Sequence, residues 1–194
     1  MIDPTESLYK NITLNDVQLA SAYYPILIDL AKHKHCLTYG ELVERAKKSY
    51  PDNPVVQNAL PVSTGRKLDV VRIFTATREL PDVTCLIINK GLGECGSGFT
   101  EHFDPVAARE KVYSFDWSAT SSDFDGFIRH SETSVTPRKR RKTKEALALM
   151  SQFYARNKAN FPSSIIKQRE FILELLVDGF EAEEAFSEAS RRAI

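Results

Sequence analysis

Cysteine is scarce in this chain of 194 residues, which holds only Cys36, Cys85 and Cys95. Three thiols cannot all pair, and so low a count points to a reducing compartment rather than a disulfide framework. Nowhere does an apolar run approach the roughly 18 residues that a membrane-spanning helix needs. The opening Met1-Ile2-Asp3-Pro4-Thr5-Glu6 has neither a basic stretch nor an apolar one after it. A secretory leader is therefore not expected, and a cytoplasmic location is. No internal repeat at a spacing of about 20–50 residues is visible. Excess charge is absent too, with 26 Lys+Arg against 26 Asp+Glu. What remains is an ordinary globular composition, 42% hydrophobic and 27% charged, which excludes collagenous and fully disordered chains.

The zero net charge conceals an asymmetry. Residues 1–136 hold 14 Lys+Arg and 18 Asp+Glu, a net of −4, whereas residues 137–194 hold 12 and 8, a net of +4. Six of those twelve cations fall in the block Arg138-Lys139-Arg140-Arg141-Lys142-Thr143-Lys144. The stretch before it, Ser118 to Pro137, is rich in Ser, Thr and Asp with little helical periodicity. Together the two read as a flexible linker over 118–144 ending in a basic block, with a boundary near 137.

Before the linker, Thr13 followed by Asp16 is an N-cap signal, and Val17, Ala20, Tyr24, Leu27, Ile28 and Ala31 continue as a helical stripe that Pro25 kinks or divides. Leu37-Thr38 suits a short strand, and Thr38 caps a second helix to about Ser49. A third helix is expected over 63–80, stopped by Pro81. Val83 to Ile88 is the strongest strand candidate, Gly91, Gly93, Gly96 and Gly98 supply a tight turn, and Asp104-Pro105 opens a fourth helix that ends near Trp117. After the linker, Ala146, Leu149, Met150, Phe153 and Tyr154 form one stripe. Pro162 breaks it, Ser163 or Ser164 caps the next helix, and Asp178-Gly179 closes that one. A third stripe holds Phe180, Ala185, Phe186 and Ala189.

Helix, short strand, helix, helix, strand and glycine turn is the order of a winged helix. Leu37-Thr38-Tyr39-Gly40-Glu41-Leu42, Thr64-Gly65-Arg66-Lys67-Leu68, Leu80-Pro81-Asp82-Val83-Thr84 and Gly96-Ser97-Gly98-Phe99 resemble the helix-turn-helix part of the alkyltransferase-like DNA-binding proteins. They are also similar to small winged-helix modules of bacterial and phage proteins. The alkyltransferase nucleophile run Pro-Cys-His-Arg is missing, so alkyl transfer is not implied. In the C-terminal part, Leu176-Val177-Asp178-Gly179-Phe180 with Glu184-Ala185 resembles both the helix-turn-helix of response-regulator activators and the Gly-Phe loop of three-helix ubiquitin-associated-like folds. Four glutamates after Gly179 would repel phosphates there.

The resulting expectation is an α+β, mostly helical chain. Residues 1–117 form a winged-helix-like domain, 118–144 a basic linker, and 145–194 a helical hairpin or three-helix unit. Its function would be to bind double-stranded DNA as a cytoplasmic regulator or a phage- or plasmid-associated factor. The third helix would enter the major groove by its N-terminal residues Ser63, Thr64, Arg66 and Lys67. Arg72, Arg78 and Lys90 would follow, and Arg138, Lys139, Arg140, Arg141, Lys142 and Lys144 would add salt-sensitive phosphate contacts. The alternative is a protein-interaction adaptor or an immunity or inhibitor protein, with partner binding or self-association through the C-terminal helices.

No enzyme, cofactor or metal is expected. Gly91-Leu92-Gly93-Glu94-Cys95-Gly96 matches the dinucleotide fingerprint in letters but lacks the βαβ context that gives it a mechanism. His33, His35 and Cys36 are too few and too crowded for a zinc site. Cys95 with His102 is the one conceivable nucleophile and base, and Asp116, Asp123 and Asp125 read as a solvated acidic loop.

Overall fold

The computed structural model describes residues 12–100, 103–135 and 137–192. The chain separates into two compact units, Met1–Thr136 and Pro137–Ile194.

In the first unit α1 (Leu14–His33) begins where the sequence says it should. The Thr13 hydroxyl accepts from the Asp16 amide, and the Asp16 carboxylate accepts from the Thr13 amide, so two orphan amides are satisfied reciprocally. Pro25 neither ends nor divides this helix. Its ring lies on the exposed side, where the carbonyl it frees one turn earlier can meet water. Elsewhere α1 is apolar almost all round, with Val17, Leu19, Tyr23, Tyr24, Leu27 and Ile28 buried, as befits the central element of a core.

Around α1 stand β1 (Leu37–Thr38), α2 (Tyr39–Ser49), α3 (Pro54–Gln57) and α4 (Thr64–Thr77). They are followed by β2 (Ile87–Ile88), α5 (Ser97–Thr100), α6 (Pro105–Ser114) and α7 (Thr120–Ser134). Thr38 and Glu41 form a second capping box at the start of α2. The expected six-residue strand shortens to β2, which pairs parallel with β1 in the register Leu37↔Ile87 and Thr38↔Ile88. Val83–Leu86 is a 3₁₀ turn instead, because the Asp82 carboxylate accepts from both the amide and the hydroxyl of Thr84 and curls the chain.

The expected linker is largely structure. Thr120–Ser134 is helical and places Phe124, Phe127, Ile128 and Ser131 in the interior. Phe124 stacks on Tyr24 with ring centroids 3.8 Å apart and meets Phe74 edge-on at 4.9 Å. Such aromatic packing contributes about 0.5–1.5 kcal/mol per pair beyond the buried area, enough to override the poor helix propensity of Ser, Thr and Asp. Residues 1–117 are therefore not a unit by themselves.

The second unit comprises α8 (Thr143–Asn157), a 3₁₀ turn at Ser163–Gln168, α9 (Arg169–Val177) and α10 (Ala182–Arg192). Neither Ser163 nor Ser164 caps α9 as expected, since the 3₁₀ turn comes first and carries no side-chain cap. Gly179, at φ 96°, closes α9: its amide bonds to the Leu176 carbonyl and the Phe180 amide to the Leu175 carbonyl, the two bonds of a left-handed helix stop. A Cβ there would also come within 2.7 Å of the Lys139 carbonyl oxygen. Ala146, Phe171, Leu176, Phe180, Ala185 and Phe186 are among the residues of its core. Among the described residues of the whole chain, no helix is long and apolar enough to cross a membrane.

Candidate functional site

The start of α4 is the first place to look for a DNA-reading surface, and it faces the interior. Ser63 and Thr64 are fully buried, Arg66 is 5% exposed and Lys67 1%. The Arg66 guanidinium donates to Asp16 at 2.7 Å, while the Lys67 ammonium donates to the Ser63 hydroxyl at 2.9 Å and lies 3.3 Å from the other Asp16 oxygen. The Ser63 and Thr64 hydroxyls donate to the Leu60 carbonyl rather than pointing outward to a phosphate. Groove reading by Ser63, Thr64, Arg66 and Lys67 is thereby overturned. The cause is that α4 packs on α1 and brings its first turn against the carboxylate that caps that helix. Burial pulls the Asp16 pKa upward, but Lys67, Arg66 and the Thr13 amide more than offset it and hold the group at about 2, so it stays ionised between its two cations.

Of the other cations expected to meet DNA from this unit, Arg72 and Arg78 are engaged with acids. Arg72 donates to Asp82 at 3.0 Å and its guanidinium lies 5.4 Å from the centre of the Phe99 ring. Arg78 forms a two-bond pair with Asp123, which removes one member of the expected acidic loop, and Asp116 accepts from the Ser118 amide. Lys90 is exposed.

It sits on the glycine turn, which is closed on itself. The Asn89 amide donates to the Glu94 carbonyl, the Gly93 amide returns to the Asn89 carbonyl, and Gly93 takes the left-handed φ of 65° that suits glycine. Glu94 is clamped by Arg109, which also donates to the Cys85 carbonyl at 3.2 Å. The Cys95 thiol donates to the same carbonyl. Burial raises the Cys95 pKa and Arg109 opposes it only partly, so the group is a protonated thiol at neutral pH rather than an activated nucleophile. His102, its conceivable base, lies outside the described residues. Among those residues no three His, Cys, Asp or Glu side chains are grouped so as to hold a metal ion.

In the second unit the basic block is a strap rather than a linker. The Arg141 amide donates to the Val177 carbonyl at 2.9 Å, and its guanidinium donates to the carbonyls of Phe180 (2.6 Å) and Leu176 (3.3 Å) and to Glu181 (2.5 Å). The Leu176 and Val177 carbonyls lie at the end of α9, where a cation is favoured by the helix dipole. Arg138 pairs with Glu184 at 3.1 Å and stacks 3.9 Å above the Phe180 ring, and Arg140 pairs with Asp178. These three arginines serve the fold. Lys139, Lys142 and Lys144 remain exposed.

Sequence reasoning passed over one further feature. Between α8, the Ser163–Gln168 turn, α9 and α10 lies an open recess of about 210 Å³, lined by Met150, Tyr154, Ile165, Ile166, Ile172 and Phe186, with Ser151 and Arg169. Phe161 stacks on Phe186 at 5.0 Å and Tyr154 lies parallel to it at 6.4 Å, giving the wall a rigid aromatic backing. Ile166 is 63% exposed. Its neighbour Ile165 is 2% exposed, and no spacing in the sequence tells the two apart. No family model, no curated protein and no solved structure matches this chain.

Proposed function

We propose that this chain is a protein-interaction module whose C-terminal unit receives apolar side chains of a partner. The observation that carries this reading is the recess around Ile166, an open apolar surface beside the one exposed large hydrophobic side chain among the described residues of this unit. Exposed apolar surface backed by aromatic rings and rimmed by polar groups is characteristic of binding surfaces. The test is Ile166→Asp in the full chain, isolated from its native host beside the wild type. A single stoichiometric partner present with the wild type and lost with Ile166→Asp, while the variant unfolds at the wild-type temperature, supports the module. A partner retained by that variant refutes the recess as the docking point.

A second reading is favoured by the exposed Lys139, Lys142 and Lys144: contact with duplex phosphates without base reading. Three phosphate contacts would give a log–log salt slope of about −3, and alanine at all three positions would abolish it. DNA binding that survives this triple substitution would exclude the lysines as its source.

A further inference from the structure

The recess also carries information about what enters it. At about 210 Å³ it is smaller than the roughly 300 Å³ at which small-molecule sites begin, and it suits one or two bulky side chains of a larger partner. Its walls are helices and a 3₁₀ turn, so they offer no strand edge to which an extended peptide can add, and an inserted helix is the fitting mode.

Charge narrows the partner further. Arg169 is the only charged side chain in the lining, and it is exposed with no ion pair among the described residues. Arg156 and Lys158 follow Tyr154 within four residues, and Lys167 follows Ile166 directly. All three are likewise exposed and unpaired. The acids of the unit are largely spent elsewhere. Asp178, Glu181 and Glu184 pair with the arginine strap, Glu188 pairs with Arg191, and Glu145 accepts from the Lys142 amide at the start of α8. Two exposed acids stand near the recess in sequence. Glu170 is one residue past Arg169 and therefore about 100° around α9 from it, while Glu183 lies one turn before Phe186. Glu145 and Glu174 add further negative charge, yet the unit still holds twelve cations against eight acids, a net of +4, and Arg169 is the charge in the recess wall itself.

We infer that the recess binds an acidic amphipathic helix, with bulky apolar side chains at i and i+3 or i+4 entering beside Ile166 and a carboxylate of the same helix meeting Arg169. This rests on the protein-interaction reading above. Attraction between the net positive unit, with Arg169 in the recess wall, and an acidic helix speeds encounter and discriminates against basic partners.

The experiment is selection of a displayed library of short helical peptides on the full chain. Affinities of the selected peptides are then measured by fluorescence anisotropy for the wild type, Ile166→Asp, Ile166→Gln, Arg169→Ala and Arg169→Glu. Selected peptides should carry apolar residues at i and i+3 or i+4 with net negative charge. Both Ile166 variants should weaken them, Arg169→Ala should weaken them about fivefold, the upper range for an exposed ion pair, and Arg169→Glu should shift a repeated selection toward lysine-bearing peptides. Peptides that are neutral or basic, or a charge preference that Arg169→Glu leaves unmoved, overturn the acidic-helix assignment. The recess itself stands in that case if the Ile166 variants still weaken binding. Failure to select any peptide, or binding indifferent to both Ile166 variants, overturns the two readings together. Thermal unfolding of each variant separates lost binding from lost fold.

Discussion

In the first unit Arg66 and Lys67 lie beneath the surface around a single carboxylate, Asp16, whereas in the second Arg138 and Arg141 meet the exposed Glu184 and Glu181, and the exposed Arg140 reaches the buried Asp178. The same residue types, next to each other in both stretches of sequence, therefore do opposite things. A buried cation depends on its partner, because desolvation costs several kcal/mol that only close charges and hydrogen bonds return. The strap arginines keep more contact with water, from 18% side-chain exposure at Arg138 to 66% at Arg140, and a pair between exposed charges contributes little. What Arg141 adds is direct bonding to the Val177 carbonyl through its amide and to the Phe180 carbonyl through its guanidinium.

Substitutions break or sharpen this contrast. Asp16→Ala strands two buried cations and removes a helix cap, so denaturant unfolding should show the first unit losing about 3–5 kcal/mol. Arg66→Ala with Lys67→Ala should cost a comparable amount by leaving Asp16 alone, and a double variant with wild-type stability would end the contrast. Acid gives the next largest effect. The Asp16 carboxyl titrates at about 2 folded against an ordinary aspartate value of 3.8, so its contribution is complete above about pH 4 and disappears as the pH falls through 2. Urea midpoints across that range should report a loss of about 2 kcal/mol, absent in Asp16→Asn. Arg141→Met keeps the stem but removes the carbonyl bonds, and should lower the stability of the second unit by about 1 kcal/mol, seen as faster amide exchange at the end of α9. Alanine at Lys139, Lys142 and Lys144 together should shift stability by less than about 0.5 kcal/mol.

Much of the local structure was legible. Thr13 with Asp16 and Thr38 with Glu41 are spaced for capping boxes and form them, since those bonds join residues three apart. Asp178-Gly179 likewise stops α9 by a local backbone rule. The helix Thr120–Ser134 was not legible from composition, because Ser, Thr and Asp dominate it. Its buried face, Phe124, Phe127, Ile128 and Ser131, nonetheless carries the helical spacing, and weighing those four positions over the polar ones would have found it. Arg66 and Lys67 at a helix start are read as solvated or phosphate-facing on any local rule. Their partner is 50 residues away, and nothing in the spacing of either segment announces it. The recess escaped for a similar reason: each of its walls reads as an ordinary apolar stripe.

By itself, then, the sequence determined where the capped helices start and where Gly179 stops one, which positions are apolar, and that the cations of the last 58 residues outnumber the acids. These follow from bonds and periodicities that span only a few residues. Tertiary structure alone decided which cations meet water. That depends on the packing of α4 against α1 and of the 138–141 strap against the end of α9, contacts between segments whose separation along the chain no local pattern encodes.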